Sequence, residues 1–218
     1  MSYVRVSPVP RTGPEMATVQ VQGMSLPGRV PEEQARLAAA ALADLSGLRR
    51  CGLKGPSAAQ WLKAQGIEVP DAANRWADLP GDGVVARLGR SEFFLEDGPR
   101  GDAAQRVQQA LGPGRDGVHP VVRQDAGIAL LGPRGNEVLV QVCNVDFDAI
   151  AQREAVMTQM AGVSVLAIRR DATHRDLGAL RCVRLWCDPT FAPYLWDTLV
   201  GIAAELGGGV VGSEGPLA

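Results

Sequence analysis

Apolar positions along this chain follow two rhythms. Short runs bounded by turn residues, at Leu48 to Leu53, Val84 to Leu88, Phe93 to Leu95, Val121 to Leu131, Val163 to Ile168 and Leu180 to Trp186, have the length and content of strands. Other apolar residues recur at helical spacing. Ala103, Val107, Ala110 and Leu111 follow Asp102, a predicted cap, and stop at Gly112. Ala192, Leu195, Leu199, Ile202 and Leu206 form a longer stripe in a helix expected to start at Asp188-Pro189 and to end at Gly207-Gly208-Gly209; Trp196 falls beside that stripe. A further helix is predicted from Pro31-Glu32-Glu33, with proline in the first turn and acids at the positive dipole end, continued by the alanine-rich residues 38–43 up to Asp44. Val84 to Leu88 and Phe93 to Leu95 are expected to pair antiparallel around Gly89-Arg90-Ser91. Residues 1–30 carry Pro8, Pro10, Gly13, Pro14, Gly23, Pro27 and Gly28, and read as an arm that wraps a neighbour or lies on its own surface, with one short strand at Thr18 to Val21.

A short pattern occurs twice. Gly55-Pro56-Ser57-Ala58-Ala59-Gln60-Trp61-Leu62 is echoed by Gly132-Pro133-Arg134-Gly135-Asn136-Glu137-Val138-Leu139, each after a strand-like run and each reading as strand, Gly-Pro turn, helix. The chain is therefore expected to be α+β, with two related lobes of antiparallel sheet and flanking helices. The expected division is an arm and helix start over 1–36, a first lobe over 37–114 and a second over 115–218, with Gly112-Pro113-Gly114 as the natural break.

Composition narrows the function classes. With 218 residues, 46% hydrophobic and 21% charged, the chain is long enough for a substantial core. A net charge of −2 gives no long-range field to collect nucleic acid or an anionic membrane, although 20 of the 22 basic residues are arginine and only Lys54 and Lys63 are lysine. No apolar run approaches the ~20 residues of a membrane helix, and Met1 to Val9 lacks the pattern of a signal peptide, so a cytoplasmic protein is expected. Cys51, Cys143, Cys182 and Cys187 show no Cys-x-x-Cys spacing, and His119 and His174 fall in no ligand pattern around them, which argues against a metal site. Neither a Gly-x-Ser-x-Gly motif, a phosphate loop nor a dinucleotide fingerprint is present, and no catalytic residue is assigned. His119 before Pro120 reads as an edge residue, and the Arg169 to Asp176 stretch as a solvated turn or a cationic docking patch.

The ordered set Asp44-Leu45-Ser46, Leu53-Lys54-Gly55-Pro56-Ser57-Ala58-Ala59-Gln60-Trp61-Leu62, Arg87-Leu88-Gly89, Glu92-Phe93-Phe94-Leu95, Val142-Cys143-Asn144-Val145-Asp146 and Phe191-Ala192-Pro193-Tyr194-Leu195-Trp196 resembles the gamma subunit family of heterotetrameric sarcosine oxidase, relatives of the glycine cleavage T-protein. The resemblance covers roughly residues 40 to 212 and implies two α+β lobes like the first part of the T-protein. It also implies larger flavoprotein partner subunits that hold FAD, FMN and NAD, and tetrahydrofolate bound within the assembly. No cofactor is expected on this chain, with tetrahydrofolate left open. Where the T-protein carries a catalytic Asp in a Gly-x-x-x-Asp-Asp strand, this chain reads Gly83-Val84-Val85-Ala86-Arg87-Leu88, without a carboxylate. Where the T-protein uses a Glu to grip the pterin's amino edge, this chain places Arg184, a donor-only group; a slip of the alignment would bring Glu92 or Asp188 into consideration. Arg184, Trp186 and Trp196 are the candidate folate-cleft or interface residues. The function implied is a non-catalytic subunit of a complex oxidising sarcosine or another N-methylated amino acid; the alternative is a stand-alone tetrahydrofolate-dependent aminomethyl transferase. A relative of the folate-binding iron–sulfur assembly factor ranks last, because its Lys-Gly-Cys-Tyr-x-Gly-Gln-Glu signature is absent.

Overall fold

A computed structural model describes residues 5–10, 17–174 and 177–213. β1 (Thr18–Val21) and β2 (Met24–Pro27) form a hairpin around Gln22 and Gly23, both at positive φ as a tight turn between twisted strands requires. α1 (Glu33–Leu37) and β3 (Ala41–Asp44) follow. β4 (Arg50–Lys54) passes through Gly55-Pro56 into α2 (Ala58–Ala64), then come β5 (Arg75–Leu79), β6 (Gly83–Arg87), β7 (Glu92–Glu96), α3 (Ala103–Leu111) and β8 (His119–Val121). β9 (Ala126–Leu131) passes through Gly132-Pro133 into α4 (Gly135–Leu139), followed by β10 (Ala155–Met160) and β11 (Val163–Arg169). A small hairpin of β12 (Ala172–His174) and β13 (Gly178–Leu180) leads to β14 (Cys182–Cys187), α5 (Ala192–Glu205) and β15 (Gly209–Val210).

These elements form an α+β fold with two compact units. One takes the residues up to 47, 125–152 and those from 156 on; the other takes 48–124 and 153–155. The first holds a six-stranded sheet in the order β10-β11-β14-β9-β3-β15, the second a five-stranded sheet in the order β5-β6-β7-β4-β8. The two orders match strand for strand except for the extra β15. The strand that precedes each repeat pairs in the other repeat's sheet: β3, just before β4, pairs with β9, whereas β8, just before β9, pairs with β4. This exchange interleaves the units along the chain, where the sequence reading expects consecutive lobes.

The Gly-Pro repeat is a structural repeat at atomic scale. In one copy Ser57 N–H donates to Gly117 O at 3.0 Å, and in the other Arg134 N–H donates to Ala39 O at 3.0 Å. Gly55 and Gly132 both sit at positive φ, and a Cβ on them would lie 2.2 Å from Gly117 O and 2.5 Å from Ala39 O, so only glycine permits the approach in either unit.

Each unit has its own core. In one, α4 and α5 bury Leu139, Leu195, Trp196 and Leu199 against Leu42, Ile128, Leu130, Val183 and Leu185 of the sheet. In the other, α2 and α3 bury Leu62, Val107 and Leu111 against Leu53, Val85, Phe93 and Leu95. Among the described residues no helix is long and apolar enough to cross a membrane.

Three local expectations are corrected. The alanine-rich stretch does not continue a helix: α1 ends at Leu37, and Ala41–Asp44 is a buried strand between β9 and β15. Alanine's helix preference, at most about 0.7 kcal/mol per residue over ordinary residues, is outweighed by a fully paired, buried ladder. Asp102 does not cap α3 with its side chain, which instead takes Arg106 Nε at 3.0 Å; the buried Asp97 carboxylate accepts the helix amides. α5 begins at Ala192, after Asp188 has accepted Thr190 N–H at 2.8 Å in a preceding turn. Of the arm, residues 5–10 lie on the chain's own surface with Val9 buried in the core, while Gly13 and Pro14 lie outside the described residues. Arg175 and Asp176 of the polar turn also lie outside them.

Candidate functional site

The end of β3 places a carboxylate inside an apolar layer. Asp44 stands opposite Ile128 in the ladder, so it shares the helix-covered face with Leu42, and it is only 6% exposed. A polar group buried there must be hydrogen-bonded. Ser46 N–H donates to Oδ1 at 2.8 Å and the Ser7 hydroxyl to Oδ2 at 2.5 Å, while Ser213 Oγ donates to the Asp44 carbonyl at 3.2 Å. Ser46 Oγ in turn accepts Gly127 N–H at 3.2 Å. Arg5 adds a clamp from the arm, donating to Gln22 O and Gly47 O at 3.1 and 3.2 Å.

Beside this carboxylate lies a cavity of about 20 Å³ lined by Ser7, Leu26, Asp44, Trp196, Val210 and Ser213. Trp196 is 2% exposed, and its indole N–H has no hydrogen-bond partner among the described residues. The space suits about one water, and ligand sites run to ~300 Å³ or more. With both carboxylate oxygens engaged, the arrangement anchors the arm; it does not offer a free base.

Of the sequence candidates, Trp196 is thus a core residue within the buried stripe, a correction to its expected place beside it. Arg184 and Trp186 lie two apart on β14, facing away from the layer that holds Val183 and Leu185, and both are buried. The structure sets these two on one sheet face and Trp196 on the other. The exposed aromatics at the start of α5 are Phe191 and Tyr194, at 55% and 56%, which helical counting alone did not single out. Their spacing of three places them on one side of the helix.

Where the T-protein resemblance calls for an acid, β6 ends in Arg87, whose guanidinium gives four of its five N–H groups to carbonyls. It donates to the carbonyls of Pro70, Asp71, Gly89 and Arg90 at 3.1, 2.6, 3.3 and 2.6 Å and lies over the Phe93 ring, 5.5 Å from its centre. The residue holds two loops together. Glu92 pairs with Arg123 at 3.2 Å, and Asp188 is held below the usual carboxylate range by the Thr190 hydroxyl and amide. Burial pushes the thiols of Cys51, Cys182 and Cys187 up to about 12, 11 and 11, the Asp97 charge adding to the effect at Cys51. His119 is exposed on β8 opposite Lys54. Among the described residues no three His, Cys, Asp or Glu side chains gather as metal ligands would.

No protein-family model matches the sequence, and no curated protein matches it. Solved structures do. The glycine cleavage system aminomethyltransferase T from Bartonella henselae superposes with a TM-score of 0.64 at 16% identity, over 90% of this chain and 56% of that one. This is the aminomethyltransferase-like fold. A heterotetrameric sarcosine oxidase from Corynebacterium sp. U-96, solved in complex with pyrrole 2-carboxylate, shares it with a TM-score of 0.63 at 22% identity, over 80% of this chain and 90% of that one. The chain therefore spans little more than half the length of the aminomethyltransferase but nearly all of the sarcosine oxidase chain. Within the aminomethyltransferase-like fold, the exchanged strands β3 and β8 carry the groups that anchor the arm on one side and the Lys54 and His119 pairing on the other.

Proposed function

We propose that this chain is a non-catalytic, gamma-type subunit of a heterotetrameric sarcosine oxidase-like complex, in which larger flavoprotein partners hold FAD, FMN and NAD and oxidise an N-methylated amino acid. The observation that carries the reading is the match over 90% of a chain of a heterotetrameric sarcosine oxidase, which makes the two chains comparable in length. The chemistry of the site supports it. Asp44 spends its oxygens on Ser7 and Ser46, and Arg87 stands where the resemblance calls for a proton-relay acid. Phe191 and Tyr194 supply the exposed aromatic pair that a subunit contact uses as an anchor.

Affinity purification of the tagged chain from its native host tests this reading. Yellow, flavin-bearing subunits should co-purify in fixed ratio, with sarcosine-dependent oxygen uptake in the purified fraction. A chain that elutes alone, without flavoprotein, refutes it. The match to the Bartonella aminomethyltransferase favours a second reading, stand-alone aminomethyl transfer to tetrahydrofolate. Calorimetric titration of the purified chain with tetrahydrofolate separates the two: micromolar binding supports the transferase, and no heat of binding supports the subunit.

A further inference from the structure

α5 turns Leu195, Trp196, Leu199 and Ala203 into the core and leaves its opposite side open. On that side Tyr194, Asp197, Gly201 and Glu205 follow one another at spacings of three, four and four, all of them exposed, and form one stripe. Asp188 and Phe191, both exposed, precede the stripe in the turn that leads into the helix. The helix has 14 residues and is therefore about 20 Å long.

Two features of this face break local rules with no gain inside the chain. The first is charge of one sign. α5 contains neither lysine nor arginine, and Glu205 stands at its C-terminal end, where the helix dipole disfavours an acid. Among the described residues Asp197 and Glu205 take no hydrogen bond or ion pair, and Asp188 takes hydrogen bonds only from Thr190 in its own turn. Elsewhere exposed carboxylates meet arginines, as Asp78 meets Arg153, Asp102 meets Arg106 and Glu137 meets Arg134. The second is Gly201. Glycine weakens a helix interior relative to alanine, and a Cβ here would meet nothing within 4 Å, so no contact among the described residues requires it. Midway along an exposed helix face, a residue without a side chain lets another chain come close.

We infer that this face of α5 docks in a basic groove of a larger subunit, whose lysines or arginines meet Asp188, Asp197 and Glu205 while its apolar floor takes Phe191 and Tyr194. The wall of that groove closes on Gly201. The inference rests on the subunit reading above and adds the chemistry of the partner. Unpaired carboxylates set the sign of the surface they meet. Aromatic anchors set its kind, because exposed rings gain most from desolvated pockets of a protein. The same charges exclude other occupants. A second copy docked α5 to α5 would set acid against acid, and a nucleic acid or an anionic membrane would bring phosphate.

Carboxyl labelling with a carbodiimide and glycinamide, read by peptide mass spectrometry on the isolated chain and on the complex purified from its host, tests it. Asp197 and Glu205 should react freely in the isolated chain and about tenfold more slowly in the complex. Asp197→Lys combined with Glu205→Lys should weaken the complex about tenfold or more, and added salt should weaken the native complex in the same sense. Gly201→Leu should weaken it too, while the urea midpoint of the isolated chain does not fall, because leucine is the better helix former. Glu68→Lys, at an exposed acid of the other unit, should leave the complex unchanged. Freely labelled carboxylates in an intact complex, or a complex indifferent to the α5 substitutions or equally sensitive to Glu68→Lys, overturn the inference and leave the subunit reading standing. A chain that joins no larger subunit removes the reading and the inference together. Protection that comes with a doubling of the 23.0 kDa mass of the chain alone assigns the face to a second copy and also overturns the inference.

Discussion

The Ser7 hydroxyl donates to Oδ2 of Asp44 at 2.5 Å across 37 residues of chain, tying the arm to a carboxylate inside a core. Removing it leaves a buried carboxyl group with one fewer hydrogen-bond partner. Ser7→Ala should lower stability by about 1–2 kcal/mol, and Asp44→Ala by more, because the Ser46 amide also loses its acceptor. In a double-mutant cycle read by urea unfolding, Ser7→Ala should cost little once Asp44 is gone. Additive losses would mean that the two residues act separately.

Arg87 satisfies four carbonyls from two loops, a task for a forked planar cation. Arg87→Lys should therefore recover little of the stability lost in Arg87→Ala, for which about 1–3 kcal/mol is expected. Faster amide exchange around residues 70–71 and 89–91 in both variants would check the assignment; unchanged exchange there would contradict it.

How far the fold was legible in the sequence follows from which interactions are local. The Gly55-Pro56 and Gly132-Pro133 turns and the β6–β7 pairing depend on neighbours in sequence, and each is where the pattern places it; α5 also forms, but it starts four residues later than expected and takes Trp196 into its buried side. The exchange of β3 and β8 depends on partners about 90 and 70 residues away along the chain, as in Ala41 opposite Leu131 and Gly52 opposite Val121, and no periodicity reports that. The same distance hid Ala41–Asp44, whose composition favours helix until a ladder is supplied. Asp97 was missed as the α3 cap for a related reason: seven residues separate it from Ala104, and the nearer Asp102 satisfied the local rule. Asp44 was legible as part of a family-like block, but its burial beside Trp196 and its bond to Ser7 required the folded chain.

Asp97 gives a pH dependence of definite sign. Burial raises its carboxyl above the ordinary 3.8 despite the amides of Ala104 and Gln105, which act the other way. The folded chain thus holds this proton more tightly than the unfolded one, and the stability it confers is full below the unfolded value and declines as pH rises through the folded one. The advantage of the native chain over Asp97→Asn should therefore shrink as pH rises above the ordinary 3.8, as read from urea midpoints. A gap that widens with pH would show that the amide bonds dominate burial.

Thiol chemistry should single out Cys143. Cys51, Cys182 and Cys187 are buried with thiols at about 12, 11 and 11, so at pH 8 fewer than about one in a thousand is the reactive thiolate. Cys143 is only half-buried, its thiol facing Val145 O at 3.8 Å. Iodoacetamide should label Cys143 first in the native chain and the other three only on unfolding, with peptide mass spectrometry as the readout. Early labelling of Cys51 would contradict the burial that raises its thiol.

Native mass spectrometry of the tagged chain purified from its host bears most directly on the subunit reading. The expected spectrum shows this chain in one complex with flavin-bearing subunits, and Phe191→Ala with Tyr194→Ala should release it from them by at least tenfold. A spectrum of the chain free of flavoprotein, from a sample in which it alone transfers the one-carbon unit to tetrahydrofolate, would contradict it.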